Sequence, residues 1–93
     1  MPQYTHQLVV QFECDELADY DAMIELENCL IDGLGNGHKV DGHDGGSGEI
    51  NIFIHTRDPD LAFSELSRLL TPEQKSNAKI AFRSFESDTY TVL

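Results

Sequence analysis

Ile50, Asn51, Ile52, Phe53, Ile54 and His55 alternate with period two, so the three isoleucines share one face and Asn51, Phe53 and His55 the other. Three β-branched residues on one side predict a strand packed on a core. His6 to Glu13 repeats the pattern, with Leu8, Val10 and Phe12 opposite Gln7, Val9 and Gln11. Between the two strands, Tyr20, Met23, Leu26 and Leu30 recur at helical spacing. Asp21, Glu25, Asn28 and Asp32 fall opposite them as an acidic stripe, which reads as a solvated face. Asp15 or Asp19 is the expected cap of this helix, which runs to about Asp32. Asp58-Pro59 announces a second helix to about Leu70, with Ala62, Phe63, Leu66, Leu69 and Leu70 on one side. Thr71-Pro72 reads as its stop, and Glu73 to Asn77 as a polar connection. Ala78 to Phe85 predicts the last strand, with Ile80 and Phe82 inward and Ser87 to Leu93 prolonging it.

Gly37 to His43 is a weaker strand whose one clearly apolar residue is Val40, which suits a sheet edge. The glycine-rich run Asp44 to Gly48 joins it to Ile50–His55 as a hairpin. With Val40 beside Ile52 on the core side, Asp41 pairs with Asn51 and His43 with Glu49 on the open side. That parity demands an odd loop, Asp44–Gly48 or Gly45–Ser47.

The element order βαββαβ resembles the ferredoxin-like superfold. The resemblance implies an α+β sandwich over residues 1–93, a four-stranded antiparallel sheet with two helices on one face and strands one and three central. It implies nothing about function. The first strand-to-helix loop lacks the arginine that acylphosphatases use, and no C-x-x-C motif is present. Phe53 stands where RNA-binding domains of this fold place a stacking aromatic.

Charge speaks against that last role. Seventeen acidic and six basic residues give a net charge of −11, which disfavours nucleic acid and anionic membranes and admits a basic protein partner. An apolar fraction of 40% supports one modest core, and 93 residues make one domain. No apolar run is long enough to span a membrane and no signal-peptide pattern opens the chain, so a cytoplasmic protein is expected. Cys14 and Cys29 match no metal or redox motif and are expected as reduced, buried thiols.

Three sites follow from parity. The open sheet face collects Val9, Gln11, Glu13, Asp41, His43, Glu49, Asn51, Phe53, His55, Ala81, Arg83 and Phe85. Of these, Val9, Phe53 and Phe85 form an apolar centre within a polar ring of Gln11, Asn51, His55 and Arg83, the mixture of a protein interface or shallow ligand platform. Asp41, His43 and Glu49, with His55, are residue types that hold zinc, but they fit no metal motif; a cross-strand His–Glu pair without metal is the expectation. Cys14, Asp15, His55, Thr56 and Asp58 converge only if the first and third strands are parallel neighbours, and parity puts Cys14 and His55 on opposite sides. The chain thus reads as a non-enzymatic interaction or regulatory module without cofactor. It would be a homodimer, or an inhibitor or immunity-type protein with a basic partner. The alternative is a small-molecule or metal-binding domain, catalytic or not, using His43, Glu49, Asn51 and His55.

Overall fold

A computed structural model describes residues 4–13, 17–35, 37–46 and 48–93. The elements are β1 (His6–Glu13), α1 (Leu17–Gly33), β2 (His38–Gly46), β3 (Glu49–Thr56), α2 (Pro59–Leu69), α3 (Pro72–Asn77), β4 (Lys79–Ser84) and β5 (Thr91–Val92). They form one antiparallel sheet in the order β2-β3-β1-β4-β5. The class is α+β, but the four-stranded, two-helix ferredoxin-like sandwich suggested by the element order is not what the chain forms. Among the described residues the sheet has five strands and the helices number three.

Local chemistry explains both extra elements. Pro72 ends α2 and also starts α3. The Thr71 side chain accepts from the Gln74 amide while the Gln74 side chain accepts from the Thr71 amide, a complete capping box with proline at the first helical position. The fifth strand arises because the last strand does not run on. The amide of Ser87 donates to the carbonyl of Ser84, and the chain turns back so that Val92 pairs with Ala81 and Thr91 with Phe82.

The alternation in β1 and β3 does what its pattern predicts. Leu8, Val10 and Phe12 and Ile50, Ile52 and Ile54 are buried in one core with Met23, Leu26 and Leu30 of α1 and Ala62 and Leu66 of α2. Each of these side chains other than Ala62 contributes about 1.5–3 kcal/mol by leaving water. Tyr20, read as part of the α1 stripe, is exposed instead, as are Asp21, Glu25, Asn28 and Asp32. Cys29 is exposed, contrary to the expected buried thiol, because it falls among these outward residues; Cys14 lies outside the described residues. So does the capping aspartate Asp15, while Asp19 sits inside α1 rather than ahead of it. Asp58 caps α2 as its sequence predicts, its side chain accepting from the Leu61 amide.

β2 is longer than expected, and its register breaks. Val40 lies across from Ile54 and Gly42 across from Phe53, so Asp41 is an extra residue, a β-bulge. Gly42 holds φ at +138°, a backbone state open to glycine. The bulge also shortens the hairpin: β2 ends at Gly46 and β3 begins at Glu49, with two residues between them rather than an odd number, and Gly48 at φ +81°.

Candidate functional site

The open face is organised in cross-strand rows, each on one side of the pleat. The first is Lys39, His55, Gln7 and Arg83; the second is Gly42, Phe53, Val9, Ala81 and Val92. The third is Asp44, Asn51, Gln11 and Lys79; the fourth is Gly46, Glu49 and Glu13. The apolar second row floors a trough of about 600 Å³. Gln11, Asn51 and Lys79 border it, and Tyr90, Val92 and Leu93 line its β5 side. Val92 is 78% exposed and Phe53 half-buried, so the trough is walled but not roofed.

The seven residues expected to form the binding face divide into two groups. Val9, Gln11, Asn51 and Phe53 line the trough. His55, Arg83 and Phe85 lie past its end and engage one another's neighbours. Phe85 meets the His55 ring edge-on at 5.0 Å between centroids. Gln7 is shared: its Oε1 lies 3.2 Å from His55 Nε2, and its Nε2 donates to Tyr90 Oη at 2.9 Å. The Arg83 guanidinium donates to the carbonyls of Ser84 and Ser87 and sits 5.8 Å from the Tyr90 ring centre. Lys79, Tyr90, Val92 and Leu93 stand outside the set expected from sequence. Lys79 was legible, since it shares the parity of Ala81 and Arg83; the other three depend on the fold-back after Ser84.

The bulge dissolves the metal candidate. Past Asp41 the parity of β2 reverses, so His43 lies across from Ile52 and turns to the helix side, not to Glu49 as expected. There its Nδ1 is 2.8 Å from Glu27 Oε2 and its Nε2 3.2 Å from the Tyr20 hydroxyl, both on α1. Asp41 stays on the sheet side, 3.6 Å from His55 Nε2. Glu49, at the other end of β3, accepts from Gln11. Asp41, His43 and Glu49 are thus held apart by named partners, and among the described residues no group of three His, Cys, Asp or Glu side chains gathers.

The third candidate fails on strand direction. β1 and β3 are antiparallel, with Gln7 across from His55 and Glu13 across from Glu49, so Glu13 lies at the far end of the pairing from His55 and Thr56. Cys14 and Asp15 lie outside the described residues. Thr56 instead joins a buried polar cluster. Its Oγ1 lies 2.7 Å from His38 Nδ1 and accepts from the Asp58 amide, and His38 Nε2 donates to Glu65 Oε2 at 3.0 Å. The Gly35 amide donates to Glu65 Oε1 at 2.8 Å. That amide foremost, then the His38 hydrogen bond, hold the Glu65 carboxyl below the usual carboxylate range, against the opposing effect of burial. The cluster ties the start of β2 to β3 and α2; the Thr56 side chain is fully buried, so it is an internal brace.

Charge is unevenly shared between the two sides. The open face carries Lys39, Lys79 and Arg83 against Glu13, Asp41, Asp44 and Glu49, close to balance. The net −11 is therefore carried almost wholly elsewhere, with Asp21, Glu25 and Asp32 exposed along α1. Among the described residues no helix is long and apolar enough to cross a membrane. Comparison of the chain with protein-family models, with curated proteins and with solved structures finds no match.

Proposed function

We propose that the chain is a non-enzymatic binding module whose working surface is the open face of the sheet, and that its ligand is a protein surface. One observation carries the reading: an apolar row, Phe53–Val9–Ala81–Val92, lies on the side of the sheet where charge is near balance, its first three residues half-buried and Val92 78% exposed. Apolar area left in water is costly, and an apolar centre ringed by hydrogen-bonding groups is the anatomy of a contact surface. The polar side chains lining the trough are two amides, one lysine and one phenol, Gln11, Asn51, Lys79 and Tyr90, the last already accepting from Gln7, a set that suits recognition more than proton transfer. The trough volume, about 600 Å³, also suits a small apolar ligand, and that is the second reading.

A photo-crosslinking residue placed at Phe53, and separately at Glu25 on α1, tests this in the source cell. A protein adduct from position 53 and none from position 25 is the expected result. An adduct from position 25 alone would move the working surface to the acidic helix. No protein adduct from position 53 would overturn the protein-ligand reading and leave the small-molecule one.

A further inference from the structure

We infer that the partner of the open sheet face is a second copy of the same chain, packed face to face about a two-fold axis parallel to β1 and β3. The inference rests on reading that face as the binding surface, and adds the partner, the symmetry axis and the residue pairs.

The rows of the face supply the argument. A two-fold axis midway between β1 and β3 lays β3 of one copy over β1 of the other, and β2 over β4. In the third row this sets Asp44 opposite the partner copy's Lys79, and Lys79 opposite the partner copy's Asp44. Asn51 and Gln11, amides that can each donate and accept, face one another between them. In the second row Phe53 falls over Val9 and Gly42 over Ala81, an apolar match made twice. The third row is self-complementary because its acid and its base sit at opposite ends, about 14 Å apart across three strand spacings.

Shape agrees with charge. Tyr90, Val92 and Leu93 line the β5 side of the face, and Val92 is 78% exposed. On the β2 side, beside Lys39, Asp41 and Asp44, Gly42 and Gly46 bring no side chain, and a Cβ added at either would meet no atom within 4 Å. The same axis turns the β5 side of each copy toward the β2 side of the other. The first row opposes Lys39 and Arg83, and the fourth opposes Glu49 and the partner copy's Glu13, both unfavourable pairs. Arg83 is already engaged by its own Ser84 and Ser87 carbonyls, and stacked sheets diverge by about 30°, so contact concentrates on the second and third rows. Most of the repulsion between two chains of −11 comes from outside the sheet faces, whose own charge is near balance, with Glu13 and Glu49 at the edge of the contact.

Charge reversal tests the pairing. Sedimentation of the wild type from about 1 to about 500 μM is expected to show a monomer–dimer equilibrium. Asp44→Lys alone and Lys79→Asp alone each place like charges together at two points and should weaken the dimer roughly tenfold or more. An equimolar mixture of the two variants should recover the wild-type affinity, as a heterodimer. One of its two contacts then sets the new lysine of Asp44→Lys against the new aspartate of Lys79→Asp, and the other keeps the native Asp44–Lys79 pair. Both positions are exposed, and circular dichroism should show both variants folded. A wild type that stays monomeric throughout, a dimer indifferent to both reversals, or a mixture that does not recover would each overturn the inference. A monomeric wild type that still forms an adduct from position 53 with a different protein would overturn the second copy alone and leave the binding face in place.

Discussion

On one side of β3 stand Ile50, Ile52 and Ile54, each buried, and on the other Glu49, Asn51, Phe53 and His55, none of them buried. The same eight residues of backbone serve both. Isoleucines on the helix side find α1 and α2, and the chain completes that contact by itself. Phe53 and Val9 on the other side line an open trough with Tyr90, Val92 and Leu93 along its β5 side. Charge follows the same division: α1 shows water a row of carboxylates, while the sheet face carries acids and bases close to balance. The first side is closed by folding, and the second is left with contact-forming groups and little net charge to keep a partner away.

The largest expected effect separates the two sides of β3 directly. Ile52→Asp buries an unpaired carboxylate in the core and should abolish the urea transition, a loss above about 4 kcal/mol. Asn51→Asp, one residue earlier, faces the trough and should change stability by less than about 0.5 kcal/mol. A native melt for Ile52→Asp with loss of structure for Asn51→Asp would invert the two faces.

The next effect concerns the brace beneath β2. Glu65→Ala removes the acceptor of the Gly35 amide and of His38 and should cost about 1–3 kcal/mol at pH 7 in chemical denaturation. The pH dependence is specific to this carboxylate. Its folded-state pKa lies below its unfolded value of about 4.3, so in the interval between the two the unfolded chain binds more protons. Its contribution is therefore complete above that unfolded value and disappears as pH falls through the lower folded one. Subtracting the stability curve of Glu65→Gln from that of the wild type should show a difference that shrinks with acid in that window. A difference flat across it would show that the Glu65 carboxyl is not held low.

An effect of similar size tests the bulge that sorts β2 between the two sides. Gly42→Ala forces an L-residue to φ +138° and should cost about 1–3 kcal/mol, although the site has room for the methyl group. Gly46→Ala, also with open space around it and without the left-handed φ, should stay within about 0.5 kcal/mol. Equal thermal shifts in the two variants would contradict the register break at Asp41.

The bulge also marks where the sequence stops being legible. The central strands could be read because period-two alternation survives burial of one face, and α2 because Asp58-Pro59 is a cap and a first helical residue together. β2 offered Val40 alone as a core marker, and one extra residue after it reversed every later position, carrying His43 from the sheet side to Glu27 and Tyr20. α3 was present in the letters Thr71-Pro72-Glu73-Gln74 but lost because a proline after a helix reads as a stop before it reads as a start. Of the candidate site, strand parity located Val9, Gln11, Asn51 and Phe53 on one face. The β5 side of the trough was hidden, since a turn at Ser84–Ser87 and continued extension present the same strand-forming residues. The His38–Thr56–Glu65 cluster joins positions 9 to 27 residues apart, and no periodicity connects them.

The smallest effect asks whether the acidic side takes part in association at all. Asp21→Asn, Glu25→Gln and Asp32→Asn together take three negative charges from a chain of −11, and all three positions are exposed on α1. If two copies meet through their sheet faces, these carboxylates lie on the outside of the pair and on the far side of each core, well beyond a screening length of about 10 Å at 0.1 M salt. Their removal should then strengthen the dimer only a few-fold in sedimentation at about 0.01 M salt, where the screening length is about 30 Å, and leave it unchanged near 0.5 M. Added salt should likewise strengthen the wild-type dimer, since it relieves the long-range repulsion more than it weakens the close Asp44–Lys79 pairs. A basic partner gathered by α1 gives the opposite sign: its complex weakens with salt and is lost in the triple variant. A triple variant whose association falls, at any salt, would assign the carboxylates of α1 to the contact and remove the division of labour between the two sides.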